Sequence, residues 1–238
     1  ESISRILSKI GLRIRFRFLD FCRFSEIEEF CGSEYDIQIG KSRFNEKMGA
    51  KIAERTGRRL PLAIDLPVGM SECIECIEKI AEYAPALAGR KESAVQSIRS
   101  EFDAIFSKYS PFLKGKKAVI YCIMVRDLKW QVESAKAAGM NIRAILFADG
   151  FVIDHNVRAP GYGDIPVFDH ASLCDLNRID SVEKIDIVLT NDPDRIGRRG
   201  YRWSPLGSRY YGPDGVEDWL RIICSCIAAP VPSWEAGL

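Results

Sequence analysis

The most reactive side-chain pattern in the chain is a Cys-x-x-Cys pair, Cys73 and Cys76, near the start of a predicted helix after Pro67 and Gly69. Helix N-termini favour thiolates, so this spacing permits redox chemistry or ligation of a metal cluster. The same i, i+3 spacing also places both thiols on the buried side of an amphipathic helix. Because no second cysteine pair stands at zinc-site spacing, we favour the core interpretation.

Arg126 follows a predicted strand, which is where parallel sheets bind their ligands. A guanidinium there can hold an anionic group with two hydrogen bonds, for example a carboxylate of an organic acid or a tetrapyrrole. The alternative is that Arg126 pairs with Asp127 or Asp149, or faces solvent. The first interpretation makes Arg126 a candidate cofactor-binding residue.

Lys41 and Arg202 are two further candidate anion-binding residues. Lys41, followed by Ser42 and Arg43, opens a helix after a strand, and such an N-terminus suits a phosphate or carboxylate. An ordinary charged first turn is the more common outcome for this pattern. Arg202 stands beyond a short predicted strand, where it either binds an anion or rests on Trp203 at the surface.

The remaining polar motifs give weaker indications. His155 and His170, the two histidines, each follow an Asp, but neighbours in sequence rarely face each other, so we expect polar loop residues without a catalytic role. The run Asn191–Asp194 has the outline of a metal or ribose site, and more often forms an Asx-turn. The chain lacks the glycine-rich motifs that bind NAD or ATP, and we assign no catalytic residue and no metal ligand.

Alternating strands and helices must position these residues. The expected strands are Leu12–Phe18, Tyr35–Ile39, Leu60–Leu66, Ala118–Met124, Ile142–Phe147, Pro166–Phe168, Ile185–Thr190 and Tyr201–Ser204. The expected helices include Ser25–Cys31, Arg43–Thr56, Glu72–Tyr83 capped by Ser71, Lys91–Tyr109, Leu128–Ala138, part of Ser172–Lys184, and Gly215–Ala228. The run Ala118–Met124 has no polar alternation, which is typical of a strand buried on both faces of a parallel sheet.

This order predicts an α/β fold with Rossmann-like parallel sheets flanked by helices, in two subdomains joined by a long helix. Residues 1–88 would form a partial Rossmann-like subdomain, 89–115 the bridging helix, and 116–238 a C-terminal Rossmann-like subdomain.

The composition narrows the class of protein. With 238 residues, 47% of them hydrophobic, the chain can build a substantial core. A formal net charge of +1 gives no electrostatic case for nucleic acid or an anionic membrane as the main partner. The eight cysteines sit mostly among apolar residues, as buried thiols do in a reducing compartment, so we expect a cytoplasmic protein. The first residue is Glu1, which we interpret as the later part of a longer protein or as a processed chain.

Four blocks of this sequence, taken together in their order and spacing, resemble the component 1 (α-type) subunits of nitrogenase-like oxidoreductases. The blocks are Lys108–Gly139, which begins KYSPFLKGKK; the early segment from Ile10 to the Asp36 strand; Asn45 with the helix end Glu54–Gly57; and Gly207–Gly215, followed by a helix and Pro232-x-Trp234. The resemblance spans nearly the whole chain. It implies the middle-to-C-terminal part of such a subunit, without the domain that carries the cysteines of a shared iron–sulfur cluster.

The departures from that family concern its cofactor ligands. The family holds its catalytic cofactor with one Cys, which belongs just after the Asp36 strand, and one His, which belongs before the C-terminal glycine-rich block. Here the first place reads Gly40-Lys41 and the second Arg202. Lysine and arginine cations cannot donate to iron or molybdenum as a thiolate or imidazole does. Arg126 stands where the family lines its cofactor pocket.

The resemblance implies a redox subunit with two kinds of partner. These are a homologous component 1 subunit, in a homo- or hetero-oligomer, and an ATP-dependent iron–sulfur reductase that supplies electrons. An iron–sulfur cluster would belong to the full complex, with its ligands outside this chain, and the substrate would be a small molecule or a tetrapyrrole. The alternative is a non-catalytic scaffold for metallocluster assembly, or a structural paralogue, and the missing ligands favour that alternative.

Overall fold

The chain forms two compact units. A computed structural model describes residues 2–15, 32–40, 43–123, 128–148, 162–207 and 210–230. The first unit comprises Glu1–Phe102 with Tyr211–Pro213, and the second comprises Asp103–Tyr210 with Asp214–Leu238. The division falls inside one long helix. The domain bounds inferred from the sequence, 1–88, 89–115 and 116–238, stay a prediction.

The first unit surrounds a small parallel sheet with helices. Its two strands, β1 (Ile37–Ile39) and β2 (Leu62–Ile64), pair in parallel with Ile37 opposite Leu62. Its helices are α1 (Ser2–Lys9), α2 (Arg43–Thr56), α3 (Met70–Tyr83), a 3-10 segment (Pro85–Arg90) and the first part of α4 (Lys91–Leu113).

Apolar residues at helical spacing form the core of the first unit. Ile77 and Ile80 in α3 and Ile98 in α4 are fully buried, which is the pattern that an amphipathic helix produces. A polar contact joins α1 to α4, because the Lys9 ammonium donates to Glu101 and to Ser97 Oγ at 3.0 Å.

The second unit contains a larger sheet, in which all five strands are parallel. They are β3 (Lys117–Cys122), β4 (Asn141–Phe147), β5 (Val167–Phe168), β6 (Ile187–Thr190) and β7 (Trp203–Pro205). Their order across the sheet is β5-β4-β3-β6-β7. The helices of this unit are the rest of α4, α5 (Lys129–Ala137), α6 (Leu173–Glu183), α7 (Pro193–Gly197) and α8 (Gly212–Ala228), whose first residues count with the first unit.

The strands at the centre of this sheet are buried on both faces. In β3 every residue from Ala118 to Cys122 is inaccessible to solvent, and β6 is buried along its whole length. Side chains of alternate residues in neighbouring strands, including Val119, Leu146 and Val188, share one core cluster. Such strands require helices on both faces, so the predicted α/β fold of parallel sheets flanked by helices is confirmed.

Several element boundaries differ from those that the sequence predicted. Helix α4 continues through Pro111 to Leu113, because Tyr109 and Leu113 are both buried one turn apart and their packing outweighs the missing Pro N–H. Helix α3 begins at Met70, after Gly69 rather than after a Ser71 cap. Helix α8 begins three residues before the predicted Gly215, with Pro213 in its first turn.

Two elements predicted near the N-terminus lie partly or wholly outside the described residues. Residues 12–15 of the predicted strand Leu12–Phe18 are not in a strand, and the rest of that strand lies outside the described residues, as does the predicted helix Ser25–Cys31. Within the described ranges, no helix has both the length and the apolar character needed to cross a membrane.

Candidate functional site

The topology of the second unit identifies one place where a ligand would bind. The chain runs from β3 outward through β4 to β5 on one side, and then returns to β6 on the other side of β3. Because the chain moves away from β3 and from β6 in opposite directions across the sheet, the general rule for parallel sheets predicts a ligand-binding crevice beyond the carboxyl ends of these two strands. We call this crevice the switch point; Ile123 and Asn191 directly follow its two strands.

Polar contacts inside the chain hold the rim of the switch point. The backbone N–H of Ile123 donates to Asn191 Oδ1 at 3.0 Å, which joins the end of β3 to the end of β6. The N–H of Asp192 donates to Thr190 Oγ1 at 2.9 Å, and Asp192 Oδ1 accepts from the N–H of Arg195 at 3.3 Å, capping α7. These contacts agree with the Asx-turn interpretation of Asn191–Asp194.

Arg195 is a residue of the switch point that the sequence placed in a candidate strand-end segment, Asn191–Arg195, without marking it as an anion-binding candidate. Its guanidinium carbon lies 5.8 Å from the ring centroid of Tyr121, a fully buried residue of β3. A cation over an aromatic face is held electrostatically, so the guanidinium is placed at the strand ends. The available sequence signal is its position five residues after the strand end Thr190 and three after Asp192, the helix cap.

Of the three predicted cofactor-binding cations, the described residues include Arg202 alone; Lys41 and Arg126 lie outside them. Arg202 directly precedes β7, which is shifted by a residue or two from the predicted strand Tyr201–Ser204, so it lies at the amino end of the sheet rather than at the switch point. Its Nε donates to the carbonyl of Ala229 at 3.2 Å. A cation is favourable at that place, because unpaired carbonyls end α8 there. A cofactor-binding role for Arg202 stays a prediction.

The Cys-x-x-Cys pair belongs to the core of the first unit. Cys73 and Cys76 are buried, and the Cys73 thiol donates to the carbonyl of Pro67 at 3.4 Å. Burial raises the pKa of Cys73 far above its ordinary value and that of Cys76 to about 12. Loss of hydration therefore outweighs the helix N-terminus, and neither thiol is poised for redox chemistry.

Gly40 ends β1 in a conformation that other residues rarely adopt. Its φ is +87°, and its N–H donates to the carbonyl of Ile64 at 2.9 Å. Apart from its chain neighbours, no atom of the described residues lies within 4 Å of where a Cβ would stand, so the backbone rather than crowding restricts the residue type. The family resemblance put a cofactor cysteine just after this strand, where the chain reads Gly40-Lys41, and Lys41 lies outside the described residues.

The described residues do not offer a donor set that fits a nitrogenase-type cofactor. Across the described ranges, no three His, Cys, Asp or Glu side chains are grouped so that they could hold a metal ion. His170 follows β5 at a φ of 55° and is exposed, while His155 lies outside the described residues. At the described strand ends Asn191 Oδ1, Thr190 Oγ1 and Asp192 Oδ1 each accept a backbone N–H, and the Arg195 guanidinium beside them suits an anion better than a metal.

Comparison with known families gives one extensive match. A sequence profile of the family described as "Nitrogenase component 1 type Oxidoreductase" matches residues 1–200. The chain is 27% identical over 143 residues to the nitrogenase iron-molybdenum cofactor biosynthesis protein NifE of Rippkaea orientalis, and 28% identical over 142 residues to that of Nostoc sp.. Each alignment covers 58% of this chain; it covers 29% of the first protein and 28% of the second.

Solved structures share the fold. A structure described as "Nitrogenase Cp1 at pH 5" superposes with a TM-score of 0.63 at 16% identity, covering all of this chain and 55% of that one. A second, "Nitrogenase Cp1 at pH 6.5", gives a TM-score of 0.61 and covers 57% of that chain. The chain thus spans little more than half of these structures and under a third of the matched biosynthesis proteins.

Proposed function

Because this chain belongs to the nitrogenase component 1 type oxidoreductase family, we propose that it is part of a non-catalytic subunit that assists the assembly of a metal–sulfur cofactor. The observation that carries the proposal is Gly40. A cofactor thiolate would need a cysteine just after β1, where the chain reads Gly40-Lys41, and the φ of +87° at Gly40 disfavours a residue that has a side chain. A subunit without this ligand handles a cluster as cargo more readily than it retains one for catalysis.

Two further observations support the assembly role. The proteins NifE of Rippkaea orientalis and Nostoc sp., which this chain resembles over 58% of its length, are described as iron-molybdenum cofactor biosynthesis proteins. Cys73 and Cys76, the described cysteines of the first unit, are buried among apolar residues, so these two do not replace the missing ligand. We propose that the partner is a homologous component 1 subunit, and that ligands for the cluster come from outside the described residues.

The catalytic alternative is the reduction of a small molecule or a tetrapyrrole, with electrons from an ATP-dependent iron–sulfur reductase. Arg195 at the switch point favours this alternative, since a guanidinium at the strand ends suits a substrate carboxylate. The two proposals differ in what happens to a bound cluster: it leaves in the first and stays through turnover in the second.

The deciding experiment uses the full-length protein, co-expressed and purified with its homologous partner subunit. Iron, acid-labile sulfide and the visible spectrum are measured before and after incubation with a cluster-free acceptor protein. The assembly role predicts that iron and colour move to the acceptor. Retention of the cluster, together with substrate reduction when the reductase and ATP are added, would refute it in favour of the catalytic alternative. A complex without iron would contradict both.

A substitution experiment tests whether Cys73 and Cys76 take part in binding a cluster. Replacing Cys73 and Cys76 by Ala should leave the iron and sulfide content of the complex unchanged, since both thiols are buried and protonated. A loss of iron beyond the loss of folded protein, the latter followed by circular dichroism, would assign the pair to the cluster after all.

A further inference from the structure

The second unit carries a surface segment rich in arginine, which we call the arginine segment (residues 195–202). Arg195 lies in α7, Arg198 and Arg199 in the turn after it, and Arg202 directly before β7. Arg195, Arg198 and Arg199 are exposed. In the described part of the chain, none of the four arginines makes an ion pair.

The backbone places three of these guanidinium groups on one side of the segment. Helical hydrogen bonding continues past the end of α7: the N–H of Arg198 donates to the carbonyl of Asp194 at 3.2 Å, and the N–H of Arg199 to that of Ile196 at 3.1 Å. Residues 195, 198 and 199 are thus at the i, i+3 and i+4 positions of one helical surface. Ile196, which lies between them in sequence, is fully buried and anchors the segment to the core.

This arrangement is unfavourable for the chain by itself. Like charges at these spacings repel one another. The exposed Asp194 beside them makes no ion pair with the segment, and the Asp192 carboxylate is used to cap α7. The chain as a whole is nearly neutral, at 34 basic and 33 acidic residues. The excess of positive charge is therefore local.

Arginines elsewhere in the chain show what a compensated guanidinium looks like. Arg58 pairs with Asp36, Arg143 with Glu183, and Arg221 with Asp218. A guanidinium presents its donors as a planar fork that matches a carboxylate. What the arginine segment lacks is the carboxylates themselves.

We propose that the arginine segment is a docking surface for a protein partner that presents clustered Asp and Glu side chains. Arg195, Arg198 and Arg199 present three exposed guanidinium groups within five residues, and this local positive charge complements a patch of carboxylates. A nucleic acid is the weaker fit, because its binding usually draws on about six to ten phosphate contacts along a track. The inference does not depend on whether the subunit assembles or uses a cluster.

The test measures binding of fluorescently labelled poly-L-glutamate to the full-length protein by anisotropy at two salt concentrations. The double variant Arg198→Gln/Arg199→Gln removes two charges from the segment. The matched control Arg13→Gln/Arg99→Gln removes two exposed charges from the first unit. We expect the first variant to bind about fivefold to tenfold more weakly than the unsubstituted protein, as the loss of two exposed ion pairs implies. The control should bind within about twofold.

Three outcomes would overturn the proposal. An equal loss in the control would mean that net charge, not the segment, attracts the polymer. Unchanged binding in the segment variant would place the contact elsewhere. Tighter binding of labelled polyuridylate than of poly-L-glutamate at about 150 mM salt, lost in the same variant, would assign the segment to nucleic acid.

Discussion

The two units of this molecule use the same strand–helix alternation and stabilise it differently. The second unit buries β3 and β6 completely within a five-stranded sheet. In the first unit, β1 and β2 form a two-stranded sheet in which every residue but Ile64 is partly exposed. A parallel sheet is normally covered on both faces, so apolar burial stabilises the second sheet far more than the first.

In the first unit, a specific ion pair and a specific backbone conformation stabilise the strands, whereas apolar burial stabilises those of the second unit. Asp36, directly before β1, accepts two hydrogen bonds from Arg58, at 2.8 and 3.0 Å. Gly40, directly after β1, turns the chain in a left-handed conformation. The strand end where the family resemblance put a cofactor ligand therefore belongs to the unit whose sheet is less stabilised by apolar burial. The predictions below compare the units by substituting one such feature at a time.

The largest effect is expected for Trp219→Ala in the second unit. Trp219 is fully buried, packs against Trp130 with ring centroids 5.1 Å apart, and donates its Nε1–H to the carbonyl of Pro205 at 3.0 Å. We expect the free energy of unfolding to fall by about 3–5 kcal/mol. Urea unfolding followed by far-ultraviolet circular dichroism measures it. The control Phe112→Ala, at a residue 66% exposed, should stay within about 0.5 kcal/mol. A loss below about 1 kcal/mol for Trp219 would contradict the picture of a tightly packed second unit.

Arg58→Ala should have the next largest effect, in the first unit. The Arg58 and Asp36 side chains are 19% and 13% exposed, and Arg58 also donates to the carbonyl of Ser33. Removing the guanidinium leaves a mostly buried carboxylate unpaired, which we expect to cost about 2 kcal/mol. The exposed Arg55 supplies the control, with an expected change near zero. Hydrogen exchange of the β1 and β2 amides is the measurement; equal exchange in both variants would show that the ion pair does not hold the small sheet.

How far the sequence predicted the fold depended on the unit. The run Ala118–Met124 showed its burial through the absence of polar residues, and the observed strand differs from it by one or two residues at each end. The predicted strand Leu60–Leu66 is only Leu62–Ile64 in the structure, because the small sheet does not bury the flanking Leu60 and Leu66, which are exposed. Local apolar patterns predict a strand well where burial decides its length, and poorly where pairing partners do.

The candidate site was predicted less well, and the reasons are physical. The sequence places a Cys-x-x-Cys pair at a helix start, but burial in the tertiary fold sets its pKa. Arg202 precedes its strand instead of following it, because the strand begins at Trp203. The segment Asn191–Arg195 was a candidate strand end in the sequence, but the helix that positions Arg195 was not predicted, because α7 has five residues and no apolar periodicity. The switch point itself required the strand order, which no local pattern contains.

Gly40→Ala isolates the backbone part of the first unit's stability. Nothing lies within 4 Å of the added Cβ, so the cost is that of a left-handed φ, about 1–2 kcal/mol. Gly89→Ala is the matched control, because its surroundings are equally open and its φ is not positive. Urea unfolding should separate the two variants by at least about 1 kcal/mol. If both behave alike, the conformation at residue 40 does not exclude a side chain, and the support that Gly40 gives to the assembly role disappears.

The smallest effect is expected at an exposed helix cap in the second unit, where no burial contributes. Ser172 caps α6, and its N–H and hydroxyl both donate to Asp175 Oδ2 at 2.8 Å, which lowers the pKa of Asp175. Ser172→Ala keeps the backbone donor and removes the hydroxyl, so the pKa of Asp175 should rise toward its ordinary value. NMR titration of the Asp175 carboxyl carbon measures this, with Ser181→Ala, a distant exposed hydroxyl, as the control.

The pH dependence of that cap has a definite sign. A carboxyl whose pKa is lowered by folding adds stability above its unfolded pKa, and that stability is lost as the pH falls through the lower folded value. The difference in unfolding free energy between Ser172→Ala and the unsubstituted protein should therefore shrink as the pH drops below the ordinary Asp range. What remains at low pH is the contribution of the hydrogen bonds that the Ser172 hydroxyl accepts from the N–H groups of Cys174 and Asp175. A difference that grows toward low pH would mean that the hydroxyl stabilises the protonated carboxyl instead, and that the cap is not ionic.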